Sequence, residues 1–203
     1  MIVNRVLDHL FTSPGIIAVL RELDLRKVGI TGREIARLSG ITHRTALKAL
    51  DNLEALKIVQ RQIAGKAYYF TLNRTHYLYK NIIGPVFEAE RELTNKIVDK
   101  IKQNLGKYSE SIIIFGSVAR KEETNESDFD LCIVYLKNKN IIEQKINSLR
   151  DTLYELFGIS LAPFLISLSE FKSKAKNSKP PIKDIIKEGK VISGKSINRL
   201  IIG

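Results

Sequence analysis

The apolar run Ile112-Ile113-Ile114-Phe115 breaks off at Gly116-Ser117. After ten intervening residues Asp128-Phe129-Asp130 opens a second apolar run, Leu131-Cys132-Ile133-Val134. No other feature constrains the fold as much. Short apolar runs bounded by turn residues read as buried strands, and two acids at alternate positions of a strand point to the same side. A charge held that close to a core needs a partner. In a chain with 33 Lys and Arg against 22 Asp and Glu, the partner that would gather two carboxylates is a bound cation.

These residue types suit a phosphate and its metal. A strand turning into a helix at Phe115-Gly116-Ser117 offers oriented amides. Gly116 lets the backbone approach a ligand, and Ser117 adds a hydroxyl. Arg120 and Lys121, one turn along, can neutralise phosphate charge. Magnesium takes hard oxygen ligands, which Asp128 and Asp130 supply, and carboxylate-held ions can clamp the attacking and leaving oxygens of an in-line displacement. Gly116, Ser117, Arg120 and Lys121 are thus candidate nucleotide-binding residues, and Asp128 and Asp130 the candidate metal ligands and catalytic residues. Gly-Ser alone carries no information, and Asp-x-Asp alone is weak because turns favour Asp; the combination with its flanking strands is the signal.

Around this stretch the pattern is strand, helix, strand. Ile112–Phe115 and Leu131–Val134 read as strands, with Ser117–Lys121 as a helical turn between them. A helix follows over about Ile141–Phe157 and a strand over about Ser160–Ser167. Ser169–Lys176 reads as helix, Lys179-Pro180-Pro181 as loop, and Ile182–Gly189 as a short helix ending on glycine and leading to Val191–Gly194. Upstream, residues 76–108 are helical in pattern and nearly neutral. Leu93, Ile97, Ile101 and Leu105 form one apolar stripe, and Gly84-Pro85 should break or bend the helix near its start. The stripe suits either a connector packed on its own domains or a dimer helix.

Residues 1–75 read differently. Thr31 with Glu34 three residues on is a capping-box start, and Gly40 a left-handed stop. After the turn Gly40-Ile41-Thr42, a second helix runs to about Leu56, with Ala46, Leu47, Leu50 and Leu53 on its apolar face. His43, Arg44, Thr45, Lys48 and Asn52 occupy the other face. Ile58–Ile63 and Ala67–Leu72 read as two strands around a Gly65 turn. Residues 1–80 hold 13 Lys and Arg against 6 Asp and Glu, a surplus that attracts polyanions. Helix, tight turn, helix and basic hairpin make the layout of a winged helix-turn-helix, whose second helix fits a DNA major groove. Arg44 is the best candidate for a base contact. Thr42, His43, Thr45 and Lys48 can serve bases or phosphates, and Arg61 and Lys66 in the hairpin suit phosphate positioning or a minor-groove probe.

Two resemblances cover most of the chain. TGREIARLSGITHRTALKALDNLEALKIV, continuing through YYFTLNRTHYL, resembles the N-terminal winged helix of bacterial and archaeal regulators fused to a minimal nucleotidyltransferase domain. GSVARKEETNESDFD, with the ending KEGKVISG, resembles the polymerase-beta-type nucleotidyltransferase superfamily in its minimal form, over about residues 109–194. The expected fold class is α+β: a winged helix-turn-helix DNA-binding domain over 1–75, a linker helix over 76–108, and a C-terminal mixed-sheet α/β nucleotidyltransferase domain over 109–203. The resemblance implies magnesium and an NTP, with ATP the expected one, as ligand or substrate. It implies double-stranded DNA as a partner, a homodimer, and a HEPN-type toxin as a further partner. Two departures stand out. The residue after Arg120 is commonly Gly in that superfamily and here is Lys121. Active members carry a third Asp on the next central strand, whereas no acid occurs from Leu156 to Ser169, and Ala162 or a neighbour takes its place. Glu155 and Glu170 lie off that strand, and Pro163 suggests a sheet edge or bulge.

The expectation is therefore a DNA-binding regulator with a nucleotide- and magnesium-binding domain of weak or lost activity. The alternative is an active enzyme transferring a nucleoside monophosphate to a protein, such as a HEPN-type toxin, or to RNA. An inert docking platform is a third, which the two aspartates disfavour. Cys132 is the only cysteine, which leaves no internal disulfide and gives it a packing role. No apolar run approaches the roughly 20 residues that span a bilayer, and Asn4, Arg5 and Asp8 interrupt any leader. A cytoplasmic protein with no membrane partner is expected.

Overall fold

Thirteen residues of apolar-periodic sequence, His43–Ala55, form the helix α4 of a three-helix arrangement completed by α2 (Pro14–Asp24) and α3 (Gly32–Ser39), with a short α1 (Val6–Leu10) ahead of them. The structure, a computed structural model, describes residues 4–177 and 180–202. Thr31 caps α3 by accepting from the Glu34 amide, at 3.3 Å. The expected capping box is half formed, because the Glu34 carboxylate turns to Arg37 at 2.6 Å instead. Gly40 ends α3 at φ 66°. On α4 the buried positions are Ala46, Ala49, Leu50 and Leu53. Leu47, expected on the apolar face, is exposed and reaches across towards Gly32.

The hairpin is β2 (Val59–Ala64) and β3 (Ala67–Leu72), turning at Gly65-Lys66. A two-residue strand, β1 (Ile30–Thr31), pairs antiparallel with β3 and completes a sheet ordered β1-β3-β2. Two residues are too few to show period-two patterning, which is why the sequence reading did not include it. Phe70, Leu72, Ile58 and Val59 join Leu20, Leu23, Ile35 and Leu50 in one core. Helix and hairpin therefore share a single hydrophobic interior.

Helical structure then runs through a π-helical turn, Tyr79–Ile83, into α5 (Gly84–Leu105). The expected break at Gly84-Pro85 is a junction between the two, where proline's missing donor costs nothing at a first helical turn. The chain divides into two compact units, Met1–Glu92 and Leu93–Gly203, and the division falls inside α5. Phe87 packs in the first core, and Ile97, Ile101 and Leu105 in the second. Leu93, assigned by the stripe to the same row, is exposed.

The second unit is a four-stranded sheet ordered β6-β5-β4-β7, from β4 (Ser111–Ile114), β5 (Phe129–Tyr135), β6 (Leu161–Ser167) and β7 (Lys190–Gly194). β5 runs parallel to β6, and β4 antiparallel to both β5 and β7. The sheet is therefore mixed. α6 (Gly116–Arg120) joins β4 towards β5, and α7 (Lys139–Phe157) crosses from β5 to β6. α8 (Leu168–Lys176), α9 (Ile182–Glu188) and α10 (Ile197–Ile202) follow. Ile112, Ile114, Phe129, Leu131 and Ile133 pack with α5 and α7. Ile113, Cys132, Val134 and Ile166 pack with Phe171, Ile182, Ile185 and Leu200. Pro163 lies on β6, an edge strand, where a missing ladder donor is tolerated. Ser167 and Glu170 form a complete capping box on α8. Of the expected loop Lys179-Pro180-Pro181, Lys179 lies outside the described residues.

Candidate nucleotide and nucleic-acid sites

β4 ends and the chain turns at Gly116, whose φ of 69° is left-handed. A β-carbon added there would stand 2.0 Å from Asp130 Oδ2. The Asp130 side chain thus lies directly against the glycine backbone, and no residue with a side chain fits between them. The Phe115 amide donates to the Asp130 carbonyl at 3.2 Å, locking turn to strand. Gly-Ser and Asp-x-Asp, separated in sequence, meet in space.

Asp130 continues the row of Cys132 and Val134 on β5, the face that packs with α8, α9 and α10, while Phe129 is buried on the opposite face; Asp128, expected on the strand, stands one residue ahead of it, because β5 begins only at Phe129. Asp128 is exposed and Asp130 half-buried. Burial, and next the like charge of Asp128, push the Asp130 carboxyl above its ordinary value, with Arg120 pulling the other way. Two crowded carboxylates, one of them disfavoured in its charged form, are the donor set that a divalent cation relieves. Among the described residues no group of three or more His, Cys, Asp or Glu could hold a metal ion.

The third acid that the resemblance implies is not found beside Asp130. Asp130 is paired in register with Ala162 on the parallel neighbour β6. Parallel partners point to the same side, so the Ala162 methyl flanks Asp130. Glu170 is bound to the Ser167 hydroxyl and amide in the α8 cap, at 2.8 and 3.2 Å. Glu155 lines a cavity of about 440 Å³ with Arg150 and Tyr154, beside α7.

Arg120 is exposed and carries an ion pair to Glu188 at 2.5 Å and another to Glu122 at 2.8 Å. The hydrogen bond to Glu122, with both carboxylates, holds its guanidinium above the ordinary value. Lys190 donates to the Ala119 carbonyl. Glu188 and Lys190 lie 68 and 71 residues from these partners, a separation that no local sequence pattern spans. Lys121 has φ 62° and ends α6, which accounts for the glycine common at that position: this chain puts a side chain where the backbone favours none. The Ser117 hydroxyl makes no hydrogen bond among the described residues. Cys132 is fully buried and its thiol is pushed up to about 12 by burial, which makes it inert.

On α4, His43, Arg44 and Lys48 are exposed without an ion pair among the described residues. Thr42 and Thr45 have structural work as well. Thr42 caps the helix by accepting from the Thr45 amide at 3.2 Å, and the two hydroxyls are 2.8 Å apart. The Thr45 methyl sits where a β-carbon on Gly15 would reach, 2.8 Å away. In the hairpin, Lys66 is exposed at the turn. Arg61 is held by Glu54 at 3.2 Å and stacks over Tyr68 at 5.0 Å.

Comparison with known proteins bears on the second unit above all. The family model described as Polymerase beta, Nucleotidyltransferase matches residues 95–198. A Methanocaldococcus jannaschii protein, provisionally named a protein adenylyltransferase, is 33% identical over 98 residues, which are 43% of this chain and 65% of that protein. The chain therefore spans less than two thirds of the length of this curated relative. Among solved structures, a toxin-antitoxin complex with AMP-PNP matches 53% of this chain and 80% of its own, at 18% identity and a TM-score of 0.35. MepR, a transcription regulator of the Staphylococcus aureus multidrug efflux pump MepA, matches 51% and 82% at 22% identity and a TM-score of 0.37.

Proposed function

The chain belongs to the polymerase beta nucleotidyltransferase family, and from that premise we propose that it is a DNA-binding transcriptional regulator whose second unit binds a magnesium–NTP complex with weak or lost catalysis. The observation that carries this reading is the register of Asp130 with Ala162. A general base contributes about 10² to 10⁴ in rate, and the residue beside Asp130 is a methyl group. Nucleotide binding does not need that base. Gly116 and Ser117 offer backbone and hydroxyl to phosphate, Arg120 and Lys121 offer charge, and Asp128 with Asp130 would hold the ion. When bound, magnesium neutralises phosphate charge and orients the triphosphate.

DNA reading is supported by Arg44 and Lys48, exposed and without an ion pair among the described residues on the second helix of the helix-turn-helix, and by the basic surplus of residues 1–80. A homodimer suits such a reader, since paired half-sites mirror a two-fold axis. Among the described residues no helix is long and apolar enough to cross a membrane, and nucleotide and DNA together make the cytoplasm the proposed compartment.

The intact Gly116–Asp130 contact and the relative named for adenylyl transfer to protein favour a second reading, transfer of a nucleoside monophosphate to a protein such as a HEPN-type toxin, or to RNA. Calorimetry with magnesium and ATP tests nucleotide binding. The wild-type chain should give a magnesium-dependent heat that the double variant Asp128→Asn, Asp130→Asn loses, and equal heats would refute the site. Label passing from NTP to a protein or RNA of the cell extract would favour the enzyme.

A further inference from the structure

We propose that a groove in the first unit, separate from every residue assigned above, binds a small apolar organic anion such as an aromatic carboxylate or sulfonate. The groove has a volume of about 1060 Å³ and runs between α1, the last turn of α4 and the segment that leads into the π-helical turn. Its size suits a drug-sized organic molecule. Leu56, Leu78 and Ile82 supply an apolar wall, which favours a hydrocarbon or aromatic body by the ordinary transfer of apolar surface from water.

The ionisable lining decides the sign of the charge. Among the described residues no carboxylate lines the groove, whereas Lys57, His9 and His76 all do. Those two histidines are among only three in the chain. The His76 Nδ1 accepts from the Leu78 amide at 3.2 Å, so the proton of its neutral ring sits on Nε2, a donor with no partner among the described residues. Lys57 makes no ion pair among them either. It holds a left-handed φ of 61° between α4 and β2, and its carbonyl accepts from the Asn73 side chain at 3.1 Å, which fixes the backbone from which the ammonium extends. Uncommitted donors around an apolar wall fit an amphipathic anion, and a cation of the same shape would face the Lys57 ammonium with no carboxylate to offset it among the described lining residues.

The test uses the full chain and two fluorescent probes of like shape, anilinonaphthalene sulfonate and its uncharged counterpart phenylnaphthylamine. The sulfonate should bind saturably, one per chain. Lys57→Asn removes the charge with a residue that tolerates the left-handed backbone. It should weaken the sulfonate about tenfold, the effect of losing a charge-assisted hydrogen bond, and leave the neutral probe within about twofold. Ala55→Trp, at an exposed position of the wall, should fill the groove and abolish both. Sulfonate affinity unchanged by Lys57→Asn would overturn the proposal, as would persistent binding in a folded Ala55→Trp variant. Should Ala55→Trp fail to fold, the ratio of the two probes in Lys57→Asn decides alone. Neither probe involves DNA or nucleotide, so this result is independent of the function proposed above.

Discussion

Along α4, Arg44 and Lys48 stand about one turn apart, exposed and without ion-pair partners among the described residues, so either can be lost without disturbing the other. Around Gly116 there is no such slack, because the Asp130 carboxylate occupies the space that any β-carbon would need. The first surface is additive and the second is jointly determined. A surface of independent charges tolerates drift in individual residues, and its affinity for a polyanion scales with their number. A site made by one backbone atom and one carboxylate survives or fails as a unit.

The largest effect that could break this contrast is expected from Gly116→Ala. Left-handed backbone strain and overpacking against Asp130 together should cost about 3 kcal/mol in urea unfolding, with loss of magnesium-dependent ATP binding. A variant as stable as wild type would show that the glycine and the carboxylate are not in contact. Arg44→Ala should weaken binding to DNA selected by the wild-type chain by about 1 to 3 kcal/mol while shifting stability by no more than about 0.5 kcal/mol, as surface substitutions do. An unchanged footprint would remove Arg44 from the reading face.

The smallest effect sharpens the comparison from the other side. The Asp130 carboxyl is held above its ordinary value in the fold, so its contribution to stability is fully present below the unfolded value and is lost as pH rises through the folded one. At neutral pH its charge opposes folding. Asp130→Asn should therefore raise the urea midpoint at pH 7 in the absence of divalent ions, by about 0.5 kcal/mol once solvent screening is allowed for. The gain should vanish in acid. Magnesium should stabilise wild type and leave the variant unmoved. A variant less stable than wild type at pH 7 would mean that Asp130 makes a favourable contact the fold does not otherwise reveal.

Much of the fold was readable because its signals are local. Thr31 and Gly40 bracket α3 by backbone chemistry that operates within four residues, and the hairpin turns at the glycine that marks it. The readings that failed are those in which a second side chain competes for the same group, or in which the width of the buried stripe decides. Glu34 was expected to close a capping box and is taken by Arg37. Leu47 and Leu93 satisfy helical periodicity and are nonetheless exposed, since period alone does not say how wide the buried stripe will be. Arg61, a candidate for phosphate positioning, is in addition paired with Glu54 and stacked on Tyr68, contacts that no sequence pattern announces.

By itself, then, the order of residues determined that an apolar strand would stop ahead of Gly116, that acids would stand at the start of the next one, and that the strand after α7 would bring no acid with it. These follow from turn chemistry and period-two alternation, which act over a few bonds. Only the folded sheet decided that Gly116 and Asp130 touch, that Ala162 is the residue flanking Asp130, and that Glu188 reaches Arg120 from 68 residues away. Strand register and helix placement are set by burial of the whole interior, a property that no short stretch of sequence contains.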